Sequence, residues 1–351
     1  MQSAAHQEKY FQQYIIDRFV EQGWKLGDSK FYDTERAVYP EDLENWIKSS
    51  GQQEKWDKLE RLNGAKTLEV LMDRLDKALE KQGTMQVLRQ GFSIAGCGLI
   101  EMTEAAPEDK RNAAVIERYQ ANILRVVPEL KYHPAREFAI DLVLFINGLP
   151  VATVELKTDF TQSCEAAMDQ YRNNRRPYDA KTKRREPLLT FKRGAVVHFA
   201  MSDSEIMMAT KLDGENTFFL PFNKGRKDES GTVHAGNPPG EIKADGTQEY
   251  PVAYFWEEVC EPDAWLRIFH SFVYVEKKDV VDIQGNWSKK ETLIFPRFHQ
   301  WTAVNQMLAD AREKAQQTAS AALEAAFDFM EQAFAESQEM VVFVTELTVN
   351  P

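Results

Sequence analysis

Cysteine is scarce in this 351-residue chain: Cys97, Cys164 and Cys260 are odd in number, far apart and never arranged as Cys-x-x-Cys. That spacing disfavours both a disulfide framework and a structural zinc site. Long apolar runs are missing as well, since none approaches the roughly 20 residues that a membrane span needs. The opening MQSAAHQEKYFQQ is polar where a secretory signal would carry an apolar core. No membrane association and a cytoplasmic location are therefore expected. A basic excess is absent too: 43 Lys and Arg against 55 Asp and Glu leave a net charge of −12, which argues against wholesale coating of nucleic acid. The six histidines form neither an HxxxH nor an HExxH pair, and no Gly-x-Ser-x-Gly elbow or catalytic-cysteine setting occurs.

With 43% hydrophobic and 28% charged residues, the chain has the composition of an ordinary globular protein, long enough for one large domain or two moderate ones. Phe11, Ile15, Ile16, Phe19 and Val20 recur at helical spacing near the start, and Pro40 opens a second helix toward Trp46. Leu68, Leu71, Leu75, Leu79, Met85 and Leu88 form another helical stripe of core-packing type. FAIDLVLFI (138–146), Asn147-Gly148-Leu149-Pro150 and VATVELK (151–157) give the clearest β-hairpin signal. A helix over 161–173 and a buried strand over 194–202 follow, which is an α/β layout. Residues 223–250 read as a long Gly- and Pro-containing loop, 254–275 as a helix, and Phe295-Pro296 as the entry to another helix with apolar positions Trp301, Val304, Leu308 and Ala311.

Charge is uneven. Between Arg172 and Arg193 stand nine basic residues and only two acids, Asp179 and Glu186. Charge alone leaves two readings open, a solvated face or a grip on the phosphates of a polyanion.

The chemistry concentrates at Asp141, Glu155 and Lys157. Burying a carboxylate in a strand costs several kcal/mol unless it is paired or metal-bound. Glu155 and Lys157 are two apart and share one face of their strand. Facing residues of an antiparallel pair have a constant index sum, so pairing Ile146 with Pro150 around a three-residue loop sets Asp141 against Glu155. A two-residue Asn-Gly loop would part the acids onto opposite faces. The chemistry favours the first register, and a three-residue loop is expected, with Gly148 left-handed. Two acids on one face make an oxygen-rich site suited to Mg²⁺. Spacing alone also allows salt-bridged pairs that merely end two strands.

Asp-x13-Glu-x-Lys on a hairpin resembles the PD-(D/E)XK nuclease motif. DLVLFINGLPVATVELKT is similar, more specifically, to the N-terminal nuclease region of type I restriction endonuclease R subunits (HsdR). QYRNNRRP (170–177), FKRGAVVHFAMS (191–202), TFFLPFNKG (217–225), HAGNPPG (234–240), YFWEEVCEPDAWL (254–266) and FPRFHQWTAV (295–304) continue the likeness in order, over roughly residues 6–312. Ile140 replaces the motif's usual proline. Gln170 matches the glutamine of a Gln-x-x-x-Tyr pair, but Asn174 stands at the tyrosine position. Whole R subunits continue into an ATP-driven motor with a GxxxxGK[ST] loop, and no such loop occurs here, so no ATPase activity is expected. Gln300, which matches an adenine-sensing glutamine, is then a remnant. QEMVVFVTELTVNP (338–351) is similar to a much later segment of R subunits, as if the motor were excised between about Ala311 and Leu323.

The resemblance implies a restriction-endonuclease-like mixed sheet flanked by helices, with extra helical segments at both ends. Residues 1–280 would form the nuclease domain and 281–351 a helical remnant of motor and C-terminal segments. Asp141 and Glu155 would hold Mg²⁺, Lys157 would act on the attacking water, and Gln170 would assist. Glu8 on the first helix is a further candidate acid. Arg172, Arg175, Arg176, Lys181, Lys183, Arg184 and Arg185 would contact DNA phosphates. Methyltransferase and specificity subunits would be partners. The rival expectation is an idle truncated subunit that only binds DNA or a methyltransferase.

Overall fold

The computed structural model describes residues 4–107, 111–159, 163–179, 182–281 and 285–317. Lys181 and the 338–351 segment fall outside these described residues. The chain divides into two units, Met1–Phe295 and Pro296–Pro351.

The first unit is built on a seven-stranded mixed sheet whose strands lie side by side in chain order. They are β1 (Lys25–Leu26), β2 (Leu124–Lys131), β3 (Ala139–Ile146), β4 (Leu149–Leu156), β5 (Val197–Met201), β6 (Ile206–Ala209) and β7 (Leu220–Pro221). Only β1–β2 and β4–β5 pair in parallel, and the other neighbours are antiparallel. Helix α1 (Ala4–Glu21) precedes β1. Between β1 and β2 come α2 (Pro40–Ser49), α3 (Gln53–Asn63), α4 (Thr67–Gln82), α5 (Thr84–Gln90) and α6 (Ala113–Gln120). Pro40 sits in the first turn of α2, where its missing N–H costs nothing. The helical stripe of 66–90 is split at Gly83, whose φ of 86° ends α4.

A parallel pair needs a crossover connection. Between β4 and β5 that crossover carries α7 (Cys164–Asn174), which packs Cys164, Ala167, Met168 and Tyr171 into the core beside Val143, Phe145 and Ala200. All eight residues of β4 are buried, as expected for a central strand covered on both faces.

The β3–β4 turn has two residues, not three. Asn147 (φ 48°) and Gly148 (φ 86°) supply the paired positive φ angles that a tight hairpin turn prefers. The turn pairs Ile146 with Leu149, yet Leu144 pairs with Ala152, so Val151 is an extra residue. This β-bulge shifts the index sum by one, and Leu142 faces Val154 as the register with opposed acids requires. The expected register thus stands, reached by a bulge instead of a longer loop.

The turn is also pinned. Asn147 Oδ1 accepts from Ile123 N at 2.6 Å, Asn147 Nδ2 donates to Met102 O at 2.7 Å, and Tyr39 N donates to Gly148 O at 2.8 Å. A Cβ on Gly148 would lie 2.7 Å from Tyr39 O. Gly148→Ala is expected to lower stability by about 2 kcal/mol, from left-handed strain and this clash together, measured as a shift of the urea midpoint.

The region after residue 254 departs from the expected single helix. Two π-helical turns, Phe255–Val259 and Ile268–Phe272, flank α8 (Pro262–Arg267). An antiparallel hairpin follows, β8 (Tyr274–Val281) against β9 (Trp287–Ile294). Its polar run Glu276-Lys277-Lys278-Asp279 breaks the alternation by which strands are read. This hairpin belongs to the first unit. Within 223–250, a short ladder joins Arg226–Lys227 to Val233–His234. In the second unit, α9 (Phe298–Gln317) begins with Arg297 N donating to Gln300 Oε1 at 2.9 Å, a local role for Gln300 at the helix start. All three cysteines are free. No helix among the described residues is long and apolar enough to cross a membrane.

Candidate metal and catalytic site

Carrying the β3–β4 register one residue past Leu142–Val154 sets Asp141 opposite Glu155, on one face of the sheet. Glu155 is the penultimate residue of β4, and Lys157 follows the strand directly. Lys157 N donates to Met201 O at 2.9 Å, so the parallel neighbour fixes the backbone where the lysine leaves the sheet. The three residues read from the sequence therefore converge at the carboxyl end of β4.

Asp141 Oδ2 accepts from Leu156 N at 2.7 Å, which turns this carboxyl toward β4. Burial, opposed by that N–H and by Lys157, pushes the Asp141 carboxyl up from 3.8 to about 6. Glu155 is fully buried, and burial followed by the nearby Asp141 charge raises its carboxyl well above the usual range. Its Oε1 accepts from Arg175 Nε at 2.5 Å, whereas its Oε2 has no partner among the described residues. A buried carboxylate oxygen left bare costs about 1–3 kcal/mol or more. A cation between the acids would remove that cost and offset the burial and the neighbouring acid charge that raise both carboxyls, so a divalent metal fits this donor set.

Lys157 Nζ donates to Leu156 O at 2.7 Å and to Glu8 at 3.2 and 3.3 Å. The candidate acid on α1 thus reaches the site through the lysine. One turn further along α1, Gln12 Nε2 donates to Asp141 O at 2.7 Å and to Glu129 Oε1 at 3.1 Å. Glu129 adds its charge to the repulsion on Asp141.

Helix α7 brings Gln170, Tyr171 and Arg175 to this end of the sheet. Gln170 is half-buried, and its side chain makes no hydrogen bond among the described residues. Its neighbour Tyr171 points inward instead, sharing a 2.8 Å hydrogen bond with Thr153 Oγ1, which also meets His198 Nδ1 at 2.8 Å. Burial lowers His198 to about 3, so it is a neutral packed histidine. One turn beyond Tyr171, Arg175 is 7% exposed and bonded to Glu155. Arg175 thus lies buried against Glu155, beside the acids, and not on the surface where Arg176 lies. The sequence offered a signal for this, since Tyr171 and Arg175 are four apart and share one helix face.

The rest of the basic segment is largely matched by acids from elsewhere in the fold. Arg172 pairs with Glu165 and Asp169, Arg184 with Glu35, Arg185 with Glu80, and the buried Arg193 with Asp76 and Glu80. Arg176 and Lys183 are exposed with no acidic partner among the described residues. His133, Asp179 and Glu186 are the one trio of potential metal ligands within 4.8 Å of each other among the described residues. His133 Nδ1 accepts from Ala135 N at 3.0 Å, so the neutral ring carries its proton on Nε2, facing Glu186 Oε1 at 3.3 Å. With Arg136 on Asp179 at 2.6 Å, the trio reads as an ion-paired pin for the loop after α7.

Two opposed acids and a lysine at the end of a central strand, under a crossover helix, define an α/β protein of nuclease-like fold. Residues 6–217 match the family model described as the type I restriction enzyme R protein N terminus. The chain belongs to that family. No curated protein matches it.

Proposed function

We propose that this chain is a Mg²⁺-dependent DNA endonuclease domain of a type I restriction R subunit. The observation that carries the reading is the bare Glu155 Oε2 beside the opposed Asp141, within the family-matched segment. Asp141 and Glu155 would hold the ion. When bound, Mg²⁺ would polarise the phosphodiester and acidify a water. Lys157, oriented by Glu8 and by Leu156 O, would align the attacking water and offset charge building on phosphorus.

DNA would approach along the loop after α7. Arg176 and Lys183 are available there, and the surface pairs of Arg172, Arg184 and Arg185, each worth about 0–1 kcal/mol, can exchange a carboxylate for a phosphate. Such contacts position DNA without reading sequence. Target choice would fall to specificity and methyltransferase subunits, and the complex would act in the cytoplasm.

The test is plasmid nicking by the purified chain, with and without those subunits, in Mg²⁺ or Mn²⁺ and in EDTA. Nicking is expected with metal and none in EDTA. DNA binding in a gel shift without cleavage under every metal condition would identify an idle binding module instead.

A further inference from the structure

The buried guanidinium of Arg175 bridges the two strands that carry the acids. Nε donates to Glu155 Oε1 on β4 at 2.5 Å, and Nη2 donates to Ala139 O on β3 at 2.6 Å, two residues before Asp141. The backbone holds it in place, because Arg175 caps α7 through its own N–H to Tyr171 O at 3.3 Å. The guanidinium also lies 6.0 Å from the Tyr132 ring centre. Arg175 side-chain exposure is 9% and Glu155 exposure is 0%, so the contact is shielded from bulk water.

We infer that Arg175 is a positioning residue for the metal-binding carboxylate. By occupying Oε1 it fixes the Glu155 rotamer and leaves Oε2 as the oxygen facing the cation. By holding Ala139 O it sets the separation of β3 and β4 where both acids emerge. A lysine could not do this, since one ammonium lacks the rigid fork that serves two acceptors on two strands. The inference rests on the nuclease reading above and adds a residue to it.

The test compares the full chain with Arg175→Ala and Arg175→Lys, each checked for folding by its thermal melt. Mn²⁺ affinity is read by electron paramagnetic resonance, and plasmid nicking is read as kcat and KM separately. Both variants are expected to bind Mn²⁺ about tenfold more weakly and to lose roughly 100-fold in kcat, with KM for plasmid within about threefold. Ethylguanidinium should restore at least about tenfold of the lost kcat in Arg175→Ala, by refilling the vacated space, and should leave Lys157→Ala unchanged. The lysine variant, which keeps charge and most volume, serves if the alanine variant does not fold. Unchanged Mn²⁺ affinity and kcat in either folded variant would overturn the inference. So would a rise in KM alone, the mark of a phosphate contact, or the absence of rescue in folded Arg175→Ala. Wild type that neither binds Mn²⁺ nor nicks DNA would sink the nuclease reading itself, a different outcome.

Discussion

Alanine in place of Lys157 should slow plasmid nicking by a factor on the order of 10³, while DNA affinity in a gel shift stays within about threefold. The amine lies between Glu8 and the strand end, and its charge moderates both Asp141 and Glu155. Removing it takes away the group that would align the attacking water. It also leaves three acids without their shared cation, so Mn²⁺ should bind as tightly as before or more tightly. That combination separates Lys157 from the metal ligands. Asp141→Asn should lose nicking to a similar extent, but together with metal affinity. If both variants cut like wild type, the catalytic assignment is wrong.

Acidity should control metal occupancy. Asp141 must be ionised to bind a cation, and its carboxyl is pushed up to about 6. Below that value each further pH unit should weaken Mg²⁺ or Mn²⁺ binding by tenfold or more, about 100-fold where the raised Glu155 carboxyl must lose its proton as well. Stability without metal runs the other way. A carboxyl raised from 3.8 contributes fully to folding below its unfolded value, and that contribution is lost as pH climbs through about 6. The rise in melting temperature on adding Mn²⁺ should therefore be large at pH 7.5 and nearly gone by pH 5. Thermal melts across that range, repeated with Asp141→Asn, provide the check. A metal-induced shift that is independent of pH, or that persists in Asp141→Asn, would show that the ion sits elsewhere.

Much of this architecture was legible in the sequence because its signals were local. Asn147-Gly148 between two β-rich runs announced a hairpin, and the apolar stripe from Phe11 to Val20 announced α1. The requirement that a buried acid find a partner indicated the correct opposed register. What it could not indicate was the device. A three-residue loop and a two-residue turn followed by a bulge give the same index sum, and nothing about Val151 as a residue marks it as the extra one. The basic segment shows the opposite limit. Counting charges along the chain ignores acids that folding delivers from afar, such as Glu35 to Arg184 and Glu80 to Arg185. Charge alone does not set Arg175 apart from the others, because its partner lies 20 positions earlier, on a strand. The hairpin of β8 and β9 escaped detection because its lysines and acids pair across the two strands, Lys277 with Glu291 and Asp279 with Lys289. Along either strand alone, those residues show no alternation.

The extra residue at Val151 lets the hairpin obey two masters. The Asn-Gly corner keeps the twist that its backbone prefers, while the half-pleat offset that follows re-aims everything downstream. Because β4 is buried along its whole length, apolar packing alone would accept either phase of that strand. The bulge thus acts as the phase selector: foldability tolerates both settings, and only one of them brings the carboxylates face to face.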